Sequence, residues 1–164
     1  MPNEKLIYWD SCVFISRIQR TQERIEVLEQ IAQGAAKGEL KIVTSILAKG
    51  EVAHLGKTDL LPEQQEHRII EFFDNDFIVV QPLDDWICDE ARRLARRFHG
   101  GGRRGADYIH LATAVVHRVP VFHTYDGKLL DLNSQIDGLS LRVPQYEGNV
   151  ALPFDGETAD EETG

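Results

Sequence analysis

Six oxygen-bearing side chains stand where predicted strands end or predicted helices begin. An apolar run over Lys5–Trp9 is followed at once by an acid and a hydroxyl, which is typical of a buried strand that leads into a helix. Other acids lie on the helix after a second strand, in the first turn of a late helix, and just after a strand over residues 119–124. The six residues are Asp10, Ser11, Glu51, Asp107, Thr124 and Asp126.

The four carboxylates of this set predict a cation site if the fold brings them together. Two unit charges about 5 Å apart repel by roughly 3 kcal/mol at an effective dielectric of about 20, so a cluster must share protons or hold a cation. Oxygen ligands suit Mg²⁺ or Mn²⁺, which can activate water to hydrolyse a phosphodiester. The Thr124 hydroxyl is suited to hold a carboxylate or a metal-bound water, and the Ser11 hydroxyl to cap the helix after Asp10.

Each acid also has an ordinary structural explanation. Asp10 and Asp107 match helix N-caps, and Asp126 precedes a glycine as a turn residue does. Glu51 fits a solvated helix position. However, Glu51 and Asp107 both lie among apolar residues, so their carboxylates share or border apolar helix faces. This placement favours one joint site.

The order of elements predicts a parallel α/β sheet covered by helices on both faces. Near-continuous apolar strands alternate with helices of 3.6-residue periodicity, as in doubly wound folds. In such sheets, ligands bind at the carboxyl ends of the strands, where the winding direction switches. The predicted strands cover residues 5–9, 40–44, 77–80, 119–124 and 140–143, and the predicted helices cover 21–38, 45–55, 62–73, 85–99 and 106–118.

Charge is distributed unevenly along the 164 residues. The net charge is −9, yet residues 147–164 contain six acids and no lysine or arginine. We expect a single domain over residues 1–150 and a disordered acidic tail over 151–164. Residues 91–106 contain six arginines and no acid, which is either a solvated helix face or a surface that meets phosphates.

Composition excludes several classes of protein. Apolar residues make up 42% of the chain, which argues against wholesale disorder. The apolar runs are far shorter than the roughly 20 residues that span a bilayer. The two cysteines, Cys12 and Cys88, form neither a disulfide framework nor a metal pattern. We therefore expect a cytoplasmic protein in a reducing compartment, with no membrane partner.

Four segments of the chain together resemble the PIN-domain ribonuclease family. They are Leu6-Ile7-Tyr8-Trp9-Asp10-Ser11, Thr44-Ser45 with Glu51-Val52, the run from Ala106 to Ala114, and Thr124-Tyr125-Asp126. Their order and spacing agree with the family over about residues 4–145, and the size is similar to that of the VapC-like toxins of toxin–antitoxin pairs. One departure is Cys12, where these proteins more often have a small polar residue.

The resemblance implies a central sheet of strand order 3-2-1-4-5 and a Mg²⁺- or Mn²⁺-dependent endoribonuclease, usually dimeric and paired with an antitoxin. Asp10, Glu51, Asp107 and Asp126 match the family's acidic, metal-binding positions, and Thr124 matches its hydroxyl near the last acid. On this reading, activated water attacks the RNA phosphodiester in line and leaves a 5′-phosphate and a 3′-hydroxyl.

The resemblance implies a role in RNA binding for the arginine-rich segment over residues 91–106. Arg103 and Arg104 lie four and three residues before Asp107, and Arg96 and Arg97 close the preceding helix. We expect these four side chains to hold the RNA backbone without reading its sequence. The six histidines, which include His110 three residues after Asp107, match no metal pattern, and we interpret them as structural.

Three alternatives differ from this hypothesis in a testable way. A catalytically silent PIN-like domain would bind RNA or a partner without cutting. A phosphatase or receiver domain on a similar sheet would need a further acid near the first strand, and Asp10-Ser11-Cys12 does not supply one. A structure-selective DNA nuclease would share the metal chemistry, but the chain has no obvious arch or helix–hairpin–helix element.

Overall fold

The computed structural model describes residues 4–148. The predicted acidic tail over 151–164 lies outside these residues. Within them the chain alternates between strands and helices from end to end. The elements are β1 (Lys5–Trp9), α1 (Ser11–Ile18), α2 (Ile25–Ala36), β2 (Leu40–Ser45), α3 (Ile46–Glu51), β3 (His54–Leu55), β4 (Asp59–Leu60), a 3-10 turn (Glu63–Gln65), α4 (Glu66–Phe73), β5 (Ile78–Gln81), α5 (Asp85–Arg97), α6 (Gly105–Val116), β6 (Val121–His123), α7 (Gly127–Leu130) and β7 (Ser140–Arg142).

The central sheet has five parallel strands in the order β5-β2-β1-β6-β7. Counted among these five strands alone, the order is 3-2-1-4-5, as the resemblance implies. The label of the outer strand differs because two short strands, β3 and β4, precede it in a separate antiparallel hairpin. The direction of winding switches at β1, which lies between β2 and β6 in the middle of the sheet.

Two apolar clusters cover the two faces of the sheet. Alternate residues of β1 explain the division, because successive side chains of a strand point to opposite faces. Trp9 packs with Phe14 of α1 and Phe72 of α4, whereas Tyr8 stacks on Phe122 and belongs to the cluster that contains Leu111 of α6. The predicted three-layer α/β/α class is confirmed.

The predicted boundaries are wrong in two places. The helix after Ser45 ends at Glu51 instead of residue 55, and the chain continues into the β3–β4 hairpin through Gly56, which has a positive φ of 65°. The helix predicted from Thr21 begins at Ile25, because the Thr21 carbonyl accepts hydrogen bonds from the amides of Arg24 and Ile25 in a turn.

The apolar residues of α2 and α4, which are compatible with either a dimer interface or packing on the sheet, lie mostly in the core. Leu28 and Ile31 of α2 and Phe72 of α4 are buried. Ile70 is the exception, with 54% of its surface exposed. These helices are therefore held mainly by the sheet.

Two neighbouring isoleucines of α4 test this packing. Ile69 is 7% exposed and Ile70 is 54% exposed. We expect Ile69→Ala to lower the free energy of unfolding by about 2–5 kcal/mol because it leaves a cavity. The matched control Ile70→Ala should cost less than about 0.5 kcal/mol. Urea unfolding followed by circular dichroism measures both, and equal losses would contradict this orientation of α4.

Candidate active site

The pairing of β1 with β6 places two of the predicted site residues side by side. Trp9 and His123 are partners in the parallel register, so the residues that follow them, Asp10 and Thr124, leave the sheet together. The Thr124 hydroxyl donates a hydrogen bond to Asp10 Oδ2 at 2.6 Å and accepts one from the Asp126 amide at 3.0 Å. Thr124 thus positions Asp10 and connects it to the loop that carries Asp126.

Asp10 is a buried acid with hydrogen-bond donors around it and no cation beside it. It is 5% exposed, and no lysine or arginine nitrogen of residues 4–148 forms an ion pair with it. Burial raises the pKa of Asp10, and the hydrogen bonds from Cys12 and Thr124 oppose that rise. Ionised Asp10 therefore carries a desolvation cost that its hydrogen bonds offset only in part.

Cys12 supplies a polar contact to this acid. Its thiol donates to Asp10 Oδ1 at 2.8 Å and accepts from the Tyr125 amide at 3.4 Å. Burial, followed by the charge of Asp10, raises the pKa of the Cys12 thiol, so the group stays protonated and remains a donor. The thiol that departs from the family pattern at this position therefore supplies a hydrogen bond to Asp10.

Glu51 ends α3 and is held by two side chains. Ser45 caps the start of this short helix by accepting the Leu47 amide at 3.1 Å. Ser11 donates to Glu51 Oε1 at 2.6 Å, and His110 Nε2 lies 2.5 Å from the same oxygen. Burial alone would raise the pKa of Glu51, but the contacts with His110 and Ser11 outweigh it and lower that pKa. Ser11 supports Glu51 and does not cap a helix through its own hydroxyl.

Asp107 and Asp126 both accept amides at helix N-termini and are neighbours of one lysine. Asp107 Oδ2 accepts the Arg104 amide at 2.8 Å, and Asp126 Oδ1 accepts the Lys128 amide at 2.9 Å. The Lys128 ammonium lies 3.9 Å from Asp107 Oδ2 and 3.8 Å from Asp126 Oδ2. Asp126 is thus the N-cap of α7, whereas the N-cap of α6 is Arg104 and Asp107 is the third residue of that helix, so the N-cap role predicted for Asp107 is wrong.

The four acids border one open cavity of about 310 Å³ at the carboxyl ends of the strands. Its wall also includes residues of α1, α6 and the β3–β4 hairpin. The lining residues are Asp10, Ser11, Cys12, Ile15, Glu51, His54, Gly56, Asp107, His110 and Asp126. Within residues 4–148, however, no three histidine, cysteine, aspartate or glutamate side chains converge closely enough to form a metal site.

The donor set of this cavity nevertheless suits a hard divalent cation. Its acids are oxygen donors, and Asp10 is a buried carboxylate without a cationic partner in the described part of the chain. Each of the four is held by hydrogen bonds from neighbouring groups, which orient the oxygens that face the cavity.

The four arginines of the predicted RNA surface occupy different environments. The Arg103 guanidinium donates to the carbonyls of Phe98 and Lys128 at 2.9 Å each, so it ties the loop before α6 to α7. Arg96, Arg97 and Arg104 are exposed, and none of them forms an ion pair within residues 4–148. The guanidinium groups of Arg96 and Arg104 are thus open to solvent or a ligand, whereas that of Arg97 lies 4.8 Å from the centroid of the Phe98 ring in a cation–π contact.

The buried His110 and Tyr8 are functional-site neighbours that sequence reasoning did not select. His110 is 3% exposed and connects Glu51 to the Tyr8 hydroxyl, which lies 2.6 Å from His110 Nδ1. The available signal was spacing, because residues three apart share a helix face and His110 lies three residues after Asp107. The hairpin residues His54 and Gly56 carried no comparable signal.

Comparison with known proteins agrees with this fold. The PIN domain family model matches residues 7–134, and the chain belongs to this family. PIN domains are generally nucleases. The structure is similar to that of FitAcB from Neisseria gonorrhoeae, with 22% identity and a TM-score of 0.55 over 84% of this chain and 97% of that chain.

A second similar structure is that of FitAB bound to the IR36 DNA fragment. It is 19% identical and has a TM-score of 0.53 over 87% of this chain and 99% of that chain. No curated protein matches the sequence. Among the described residues, no helix is long and apolar enough to cross a membrane.

Burial of the Asp10 carboxylate lowers the free energy of unfolding, so we expect its removal to stabilise the protein. Asp10→Asn removes an ionised carboxylate at nearly constant volume, so we expect it to stabilise the protein in EDTA at neutral pH. The expected gain is about 1 kcal/mol, or roughly 2–4 °C in Tm. The exposed Asp76→Asn should leave Tm unchanged. Thermal unfolding at several pH values measures both.

The sign of the pH dependence follows from the raised pKa of Asp10. The native state binds this proton more tightly than the unfolded state, so the cost of the charge is absent at low pH and appears as pH rises through the native pKa. The advantage of Asp10→Asn should therefore shrink as the pH falls. An Asp10→Asn protein less stable than wild type at pH 7 in EDTA would contradict this account.

Proposed function

We propose that this protein is a Mg²⁺- or Mn²⁺-dependent endoribonuclease, the toxin component of a toxin–antitoxin pair. The observation that carries the proposal is the cavity at the switch point of the sheet, bordered by four carboxylates of which one, Asp10, is buried with no lysine or arginine ion partner among residues 4–148. Family membership supports nuclease chemistry, and the resemblance to VapC-like toxins supports the RNA substrate and the antitoxin partner.

Asp10, Glu51, Asp107 and Asp126 would hold the cation. When bound, the metal supplies Lewis acidity, which lowers the pKa of water and neutralises charge on the scissile phosphate. Thr124 orients Asp10, and Ser11 orients Glu51, through the hydrogen bonds that they donate. Both supporting hydroxyls therefore act by fixing carboxylate oxygens.

The exposed arginines provide the affinity for the RNA backbone in this proposal. Arg104 caps α6 next to Asp107, while Arg96 and Arg97 lie in the last turn of α5. Contacts from these side chains to phosphates hold RNA without selecting a base. Arg103 also donates to the backbone carbonyls of Phe98 and Lys128, so in this proposal it joins the loop before α6 to α7 and has further N–H groups for phosphate.

Cleavage of end-labelled structured RNA tests the reaction directly. Purified protein free of copurifying antitoxin is incubated with Mn²⁺, Mg²⁺ or EDTA. We expect metal-dependent cuts that leave a 5′-phosphate and a 3′-hydroxyl. Asp10→Asn and Asp107→Asn should each reduce the rate at least about 100-fold, because each removes charge that the transition state needs. Asp76→Asn is the matched control and should cut as wild type does.

The alternatives predict other results in the same assay. Salt-sensitive RNA binding without cleavage under any metal would overturn the nuclease in favour of a catalytically silent domain. Because one similar structure contains a DNA fragment, single-stranded and branched DNA are included as substrates. Cleavage of DNA alone would overturn the RNA assignment and retain the hydrolytic site.

The salt dependence of RNA binding tests the arginine surface. The Asp10→Asn protein is used so that the RNA stays intact. Each lost phosphate contact should reduce the slope of log K against log[salt] by about 0.7 on single strands. We expect this change for Arg96→Gln and Arg104→Gln, and none for the exposed control Lys37→Gln. Equal slopes for all three variants would place the RNA elsewhere.

The partner assignments have separate tests. We propose a homodimer, and light scattering coupled to gel filtration measures its mass. The antitoxin is proposed to cover the cavity, so coexpression with a cognate antitoxin should give a complex that does not cut RNA. A monomer, or a complex with full activity, would contradict the respective assignment.

A further inference from the structure

We propose that His110 is a positioning residue of the candidate nuclease site, which holds the Glu51 carboxylate in the cavity, and that Tyr8 in turn fixes the orientation of His110. This inference rests on the proposed function and deepens it. His110 is not one of the four acids. The sequence alone, which shows no metal pattern among the histidines, predicts a structural role for it.

The side chains form one continuous chain of hydrogen bonds. The Ser45 amide lies 3.1 Å from the Tyr8 hydroxyl, which lies 2.6 Å from His110 Nδ1. At the other edge of the ring, His110 Nε2 lies 2.5 Å from Glu51 Oε1. The chain therefore runs from the end of β2, through the buried centre of the molecule, to an acid at the cavity.

The donors and acceptors of this chain assign the proton on the imidazole. The Tyr8 oxygen accepts the Ser45 N–H, so its own O–H is available to donate to His110 Nδ1. A ring that accepts at Nδ1 carries its proton on Nε2 in the neutral tautomer. That N–H points at a carboxylate, which can only accept. Every group in the chain is then satisfied in one arrangement.

Stabilisation of the core does not by itself explain why His110 contacts Glu51. The Glu51 side chain is 33% exposed, so water can satisfy its oxygens without any histidine. His110 is instead turned toward the cavity and is one of the residues that line it. A purely structural histidine at this position would need an acceptor, but it would not need one of the site's four acids.

The need for positioning follows from where Glu51 sits. It is the last residue of α3, a helix of six residues, and its long side chain has several rotamers. Ser11 and His110 both contact the same oxygen, Oε1, and so leave Oε2 directed away from them. His110 also belongs to α6, the helix that carries Asp107, so one rigid element sets the places of two acids.

Two substitutions at His110 separate positioning from packing. His110→Leu fills the space but donates nothing to Glu51. His110→Gln offers an amide N–H at a similar reach. We expect His110→Leu to raise the Mn²⁺ concentration for half-maximal RNA cleavage, or to lower the maximal rate, by 10- to 100-fold, the usual effect of losing such a partner. His110→Gln should recover most of this loss at a Tm close to that of His110→Leu.

A double-mutant cycle shows whether His110 acts through Glu51. In the Glu51→Gln background, adding His110→Leu should change cleavage by less than about twofold, because the group it positions has already gone. If the fold-losses of cleavage caused by His110→Leu and Glu51→Gln multiply in the double variant, the two residues act independently and the proposal is overturned. If His110→Leu does not fold, Tyr8→Phe replaces it in the same cycle. This substitution removes only the hydroxyl that orients His110, so we expect a smaller loss of cleavage.

A readout without RNA keeps this proposal distinct from the proposed function. Mn²⁺ should raise the Tm of the wild-type protein, and His110→Leu should need at least about tenfold more Mn²⁺ for the same rise. If that shift is seen while the wild type cuts no RNA, the positioning role stands and the nuclease proposal fails. If His110→Leu titrates like wild type, or if Mn²⁺ leaves the wild-type Tm unchanged, the positioning role is overturned.

Discussion

The parallel pairing of β1 with β6 is the constraint on which the site depends. It brings residue 10 and residue 124 into hydrogen-bond contact at the carboxyl edge of the sheet, with Trp9 and His123 as the last paired residues. Burial of the strands on both faces makes this register strict, since a shift by one residue would turn Tyr8 and Trp9 to the wrong clusters. The large aromatic residues that stabilise the fold thereby also determine the position of the buried acid.

Around that acid, the protein holds its carboxylates by contacts that also serve the fold. Asp107 and Asp126 accept amides at helix N-termini, Glu51 accepts from Ser11 and His110, and Asp10 accepts from Thr124 and Cys12. Such contacts orient oxygens before any ligand arrives. Within residues 4–148, the four acids border one cavity without converging on a common point. The structural roles of these residues are therefore compatible with the functional roles that we propose for them.

Much of this arrangement was predictable from the sequence because it follows local rules. Apolar runs that end in acids located the strands, and the strand-end rule for parallel sheets selected the edge at which Asp10 and Thr124 lie. The β3–β4 hairpin was not predictable, because apolar residues at 52 and 55 continue the helical spacing beyond the point where α3 ends. The contact between His110 and Glu51 spans 59 residues of sequence and depends on how α3 and α6 pack, so no local pattern could reveal it. The hydrogen bonds from the Arg103 guanidinium to the carbonyls of Phe98 and Lys128 also depend on tertiary packing, so no local pattern could reveal them.

The order of the site residues along the chain has a consequence for synthesis. β1 is made first, but its neighbour β6 begins only at Val121, and the Asp10–Thr124 bond closes a loop of more than a hundred residues. Contacts of this range form late, because their loop-closure entropy is offset only when the intervening elements are in place. A nascent chain that has emerged through α5 thus contains Asp10 and Glu51 but neither Asp107 nor Asp126. The complete cavity therefore forms only after nearly the whole domain has been translated and folded.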